Sequence, residues 1–120
     1  MATNDLKERT KKFALEIIRF TSTLARGIAT DVISRQLIRA GTGTAANYRA
    51  SCRAKSCRDF IAKLGTAEEE ADESALWLEV LSESGLAKSA AVAPLLDEAD
   101  QLTRIFVASI NTARKGRRDN

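Results

Sequence analysis

Four arginines raise the first chemical question. Arg35, Arg39, Arg49 and Arg53 recur at spacings of four, ten and four residues. On a continuous α-helix, at about 100° per residue, they fall within an arc of roughly 80°. Lys55 and Arg58 extend the row. Cations in file on one face suit a phosphate backbone, because each neutralised phosphate releases counterions whatever the base sequence. The same row suits ion pairs with carboxylates, and the chain offers Glu68, Glu69, Glu70, Asp72 and Glu73, or those of a neighbouring subunit. Both readings stay open at this stage. Aromatic residues make up only 5% of the chain, which argues against a platform for stacking bases of single strands.

Other candidate chemistry is weaker. Gly41-Thr42-Gly43-Thr44-Ala45-Ala46 matches the G-x-G-x-x-A spacing of a dinucleotide loop, but that loop must follow a strand, and a helical pattern precedes Gly41. Close packing of a neighbouring helix explains the small residues better. The acids at 68–73 sit on one helix, and the chain has no histidine, so neither a di-iron carboxylate centre nor a thiol–imidazole zinc site is expected. The missing imidazole also removes any Cys–His or Ser–His catalytic pair. Cys52 and Cys57 are five apart, not C-x-x-C, and read as small core or boundary residues in a reducing compartment. Glu70 and Glu73, one turn apart beside Trp77, are expected to accept structural hydrogen bonds, from Asn47 or from an arginine. No catalytic, cofactor or metal residue is assigned.

The elements that position these groups follow from periodicity. The chain has 120 residues, 44% hydrophobic, with one Pro and six Gly. That is one domain, built of good helix formers. Leu6, Thr10, Phe13, Ile17, Phe20 and Leu24 form a seam of alternating four and three spacings, predicting a helix over about 4–26 with Gly27 as its stop. Ile33, Leu37, Ala40, Thr44 and Tyr48 predict a second over about 31–54, capped by Thr30 or Asp31 and continuous through the small residues at 40–47. Phe60, Leu64, Ala67, Ala71, Ala75 and Leu78 predict a third over about 57–84, with Ser56 and Asp59 at its start and Ser84-Gly85 at its end. Leu95, Ala99, Leu102, Phe106, Ser109 and Ala113 predict a fourth over about 90–114, with Pro94 in its first turn and a frayed basic tail after it. A link of two or three residues after the second helix forces an antiparallel hairpin. The expected fold is all-α, a single antiparallel up-down-up-down four-helix bundle.

Charge is sorted along the chain. Residues 1–63 carry 13 basic and 5 acidic side chains, 64–100 carry 1 and 10, and 101–120 carry 5 and 1. Unlike patches on different sides of a subunit favour head-to-tail contacts that close into rings. Ile38, Leu76, Trp77 and Val80 lie off the main seams and are candidates for the apolar part of such a subunit interface. No run of about 18 or more apolar residues is present, and the start, MATNDLKERTKK, lacks a signal-peptide core. The expected compartment is the cytoplasm, with no membrane partner.

Several segments carry a family resemblance. They are Asp5-Leu6-Lys7; Arg35-Gln36-Leu37-Ile38-Arg39-Ala40-Gly41-Thr42; Ala45-Ala46-Asn47-Tyr48-Arg49-Ala50; Phe60-Ile61-Ala62-Lys63-Leu64; Glu69-Glu70-Ala71-Asp72-Glu73-Ser74 with Trp77-Leu78; and Leu95-Leu96-Asp97-Glu98-Ala99. In these, and in their order, the chain resembles the bacterial four helix bundle proteins, which include proteins encoded by intervening sequences of large-subunit ribosomal RNA genes and the accessory protein of diversity-generating retroelements. The resemblance implies a homopentamer. For the retroelement branch it also implies binding to nucleic acid and to a reverse transcriptase. One departure is Ala50, where many members carry Glu.

The sequence therefore leads to a non-enzymatic homo-oligomeric scaffold or adaptor with a basic surface for RNA or DNA. The competing expectation is an assembly module whose only partners are proteins.

Overall fold

The structure, a computed structural model, describes residues 3–119, with side chains described for 5–116. Four helices run in order: α1 (Thr3–Ser22), α2 (Ile28–Ser51), α3 (Cys57–Glu83) and α4 (Ser89–Asp119). Among the described residues there is no strand. Three five-residue links, 23–27, 52–56 and 84–88, turn the chain back on itself each time, giving an up-down-up-down bundle 53 Å long and about 23 by 20 Å across. Among the described residues no helix is long and apolar enough to cross a membrane.

Local chemistry sets the helix ends, and several differ from the sequence expectation. α1 stops at Ser22, not near Arg26. The hydroxyls of Thr21 and Ser22 donate to Ile18 O at 2.9 and 2.8 Å, and Thr23 donates to Phe20 O at 2.7 Å, so the run Thr21-Ser22-Thr23 spends its side chains on the final carbonyls. α2 starts one turn early, at Ile28, with Gly27 as N-cap. Thr30 is buried instead of capping, and Asp31 is bonded to Arg26 at 3.0 Å. The second link is five residues long, so Arg53 and Lys55 belong to a turn and not to α2. Ser56 caps α3 as expected, accepting from Asp59 N at 3.0 Å. Gly85 takes a left-handed φ of 79°, which lets Ala87 N–H reach back to Leu81 O at 3.0 Å. Pro94 lies in the second turn of α4, one turn later than expected, because the helix begins at Ser89. α4 continues past 114 to Asp119: Arg and Lys propagate helix well and suit its negative C-terminal end.

The seams meet in one core. Phe13 and Ile17 of α1, Leu37 and Ala40 of α2, Leu64 and Leu78 of α3, and Leu102 and Phe106 of α4 are buried. Tyr48 stacks on Phe106, with ring centroids 5.7 Å apart. On α3 the buried row runs through Ser74 to Leu81, leaving Ala75 only half-buried. A hydroxyl can take that core position because Ser74 donates to Glu70 O at 2.9 Å; Thr10, Thr44 and Ser51 satisfy themselves the same way. The α2–α3 and α3–α4 contacts are extensive, while α1 touches α4 sparsely. There Arg9 ties the two together, with both oxygens of Glu98 at 2.7 Å and Gln101 Oε1 at 2.9 Å.

α2 is continuous through its small residues. A β-carbon at position 41 would collide with Ile17 of α1, and one at position 43 with the carboxylate of Glu70 on α3. The two glycines thus let α2 sit close to both neighbours, and no phosphate loop is formed.

Candidate nucleic-acid interface

All six expected cations, Arg35, Arg39, Arg49, Arg53, Lys55 and Arg58, are exposed. Five ion pairs form among the described residues: Arg9–Glu98, Lys11–Glu8, Arg26–Asp31, Lys63–Asp59 and Arg104–Asp100. None uses any of the six. Pairing with α3 carboxylates of the same chain therefore does not occur, although Arg39 is near enough to Glu70 to draw its carboxyl pKa down.

The row is not one uniform track. Arg35 and Arg39 stand on the outer face of α2, and Arg49 lies on its last turn. Ten residues, or about 15 Å of helix, separate Arg39 from Arg49. Arg53, Lys55 and Arg58 gather at the turn into α3. That end of the bundle is where α1 begins, α2 ends, α3 begins and α4 ends. Lys7 and Lys11 of α1 line a shallow groove of about 100 Å³ with Arg49, over Ala45 and Ala46. The Cys57 thiol donates to Ala113 O at 3.6 Å, which sets Arg114 and Lys115 of α4 beside the start of α3. Asp5 and Glu8 of α1 share this end, Glu8 paired with Lys11 at 3.3 Å, and the third acid, Asp59, is compensated: the Lys63 ammonium at 2.8 Å and the Lys55 N–H at 3.0 Å hold its carboxyl below the usual range. The result is a basic pole.

Lys7, Lys11, Arg114 and Lys115 were missed by a reading confined to one helix. An available signal was topology: in an up-down-up-down bundle, the starts of the first and third helices share an end with the finishes of the second and fourth. Lys7 and Lys11, four apart on the first helix, then fall beside the end of the second.

The acidic side lies on α3. Glu69 and Asp72 are exposed, while Glu68, Glu70 and Glu73 are half-buried. Glu73 accepts a hydrogen bond from the Trp77 indole at 3.1 Å. Asn47 makes no bond to either glutamate, contrary to expectation; it donates to Gly43 O of its own helix at 2.8 Å. The missing Cβ of Gly43 leaves the space into which the Glu70 carboxylate fits. Burial raises the Glu70 pKa, and Glu73 adds to the rise. Among the described residues no three acidic or thiol groups converge on a point that a metal ion would occupy. Cys52 is half-buried and Cys57 exposed, both free thiols.

Of the interface candidates, Leu76 is 48% exposed, while Ile38 and Trp77 are half-buried against the core and Val80 is half-buried. Val32, 51% exposed on α2, joins Leu76 as an apolar group facing water that the sequence had not singled out.

These features define an all-α four-helix-bundle protein whose distinguishing surface is a cationic pole continued along one helix. The chain belongs to the 23S rRNA-intervening sequence protein family, whose profile matches residues 3–108. Among solved structures it is similar to a protein of unknown function from the S23 ribosomal protein family of Bacteroides thetaiotaomicron. The TM-score is 0.85 at 29% identity, over 92% of this chain and 99% of that one. No curated protein matches the chain.

Proposed function

We propose that this protein is a non-enzymatic, self-assembling scaffold that holds the backbone of RNA or DNA without sequence preference. The observation that carries the reading is the set of six exposed cations that form no ion pair among the described residues, backed by Lys7 across the α1–α2 groove. Cations left unpaired by their own fold are available to an external anion, and phosphate is the commonest polymeric one. Assembly, a ring of five by the resemblance, multiplies the poles and raises avidity for a long polyanion. A larger enzyme that works on the same nucleic acid, such as a reverse transcriptase, is the fitting client, and the cytoplasm the fitting location.

Mobility shift of a duplex at about 50 and about 200 mM salt tests this. Wild type is expected to bind at the lower salt and release steeply at the higher. Arg49→Ala/Arg53→Ala is expected to weaken binding for every sequence and to lower the salt slope by about 2, at roughly 0.9 per lost phosphate contact. If wild type and double mutant are equally inert, the cations serve contacts between subunits. That second reading is favoured by the exposed Leu76 and the acidic outer face of α3, which would meet the arginines of a neighbouring copy.

A further inference from the structure

Two helices on opposite corners of the bundle carry matching outer faces. Among the described residues α1 and α3 make no contact with one another; each is packed between α2 and α4. Leu15 lies two residues from both Phe13 and Ile17, and Leu76 lies two residues from both Ser74 and Leu78, all four of them buried. At about 100° per residue, each leucine stands roughly 160° round its helix from those buried neighbours. Both therefore face water: Leu15 is 43% exposed, Leu76 48%, and Ile18, one turn on from Leu15, 41%.

The charges beside the two leucines are of opposite sign. Lys12 and Arg19 lie three residues before and four after Leu15; Asp72 and Glu79 lie four before and three after Leu76. Each charge is one helical turn from its leucine and within about 60° of it around the helix. All four are exposed, and none forms an ion pair among the described residues. The α1 face has one exposed acid, Glu8, and Lys11 pairs with it at 3.3 Å. On α3 the exposed Glu69 and Glu83 extend the acidic face, and no cation follows Lys63 on that helix.

Laid on itself across a two-fold axis, either face would set like charges together. Laid on the other face, leucine meets leucine and each carboxylate meets a cation. We infer that the outer face of α1 receives the outer face of α3 from a second copy of this chain, Leu15 and Ile18 against Leu76, and Lys12 and Arg19 against Asp72 and Glu79. The inference rests on the self-assembly part of the proposed function and names its two surfaces. They lie on opposite sides of one subunit, so each contact leaves one face free at either end. The contact is head-to-tail, and it repeats until a ring closes. α2 is the poorer receiver: its exposed Ile28 and Val32 lie in its first two turns, and Arg39 is drawn to Glu70 of its own chain. None of the six cations offered to phosphate takes part, so assembly leaves them open.

Light scattering after size exclusion of the full chain at about 100 μM is the test, with circular dichroism as the check on fold. Wild type is expected at a multiple of the 13.1 kDa subunit. Lys12→Glu/Arg19→Glu and, separately, Asp72→Lys/Glu79→Lys are each expected to lower that mass about twofold or more, with helical content unchanged. All four substitutions in one chain restore opposite charges across the contact and are expected to return the wild-type mass. Should that chain fail to fold, an equimolar mixture of the two reversed pairs decides, with a mass above that of either alone. Arg35→Glu/Arg39→Glu, on the outer face of α2, is expected to leave the mass unchanged. An oligomeric wild type that ignores both reversals, or whose mass returns in neither the fourfold variant nor the mixture, overturns the inference and leaves self-assembly through another surface. A mass lowered by the α2 reversal and not by the α1 reversal overturns it in favour of α2. A monomeric wild type overturns the inference and the self-assembly it rests on together.

Discussion

Gly43 of α2 leaves the space that the carboxylate of Glu70 on α3 fills. A methyl group at position 43 would meet that carboxylate at less than contact distance, just as a methyl at position 41 would meet the side chain of Ile17 on α1. The two glycines differ in what presses on them. Glu70 is half-buried, and its far end can swing aside; Ile17 is wholly buried and cannot.

Gly41→Ala and Gly43→Ala should therefore diverge. Both gain about 1 kcal/mol of helix propensity. Position 41 also incurs overpacking of about 1–3 kcal/mol, so a net loss is expected there, while position 43 should be neutral or slightly stabilised. Urea midpoints of the two variants check this. Equal losses would mean that Glu70 is as firmly held as Ile17.

The carboxyl of Glu70 is held above the ordinary carboxylate range, chiefly by burial against α2, then by Glu73, with Arg39 offsetting part of the rise. A folded-state pKa above the unfolded value of about 4.3 means the fold prefers the protonated form, and stability is lost as pH rises from the unfolded value through the folded one. Glu70→Gln should be more stable than wild type at pH 7, with the gain vanishing below about pH 4. Denaturation at both pH values measures it. An unchanged difference would show that the carboxyl titrates normally.

Leu64 is 1% exposed in the α3 seam. Its truncation to alanine leaves a cavity, and Leu64→Ala should cost about 2–5 kcal/mol. A loss below about 0.5 kcal/mol in thermal or chemical unfolding would place the residue at the surface.

Leu76, 48% exposed, separates assembly from folding better than Trp77, which packs on the core and donates to Glu73. Leu76→Glu should leave the stability of one subunit within about 0.5 kcal/mol of wild type while shifting an oligomer toward smaller species. Light scattering after size exclusion is the readout. A wild type that is monomeric at about 100 μM would remove assembly from the proposal.

The sequence by itself determined the helices and their inward faces. Phe13, Ile17, Leu37, Leu64, Leu102 and Phe106 were legible because apolar residues at alternating spacings of three and four admit one buried side. Ser74 was not, because its hydroxyl hides a core position until the Glu70 carbonyl that satisfies it is located. The helix ends slipped by about a turn at Ser22 and Ile28, where side-chain hydroxyls and short links, not the apolar period, decide. Only the tertiary structure decided which cations stand together. Arg35 and Arg53 share a face on an ideal helix, yet they are separated in space, while Lys7, Arg58 and Arg114, far apart in the chain, stand at the same end of the bundle. Periodicity orders residues around one axis; position along that axis, and the neighbours met there, depend on how antiparallel helices pair.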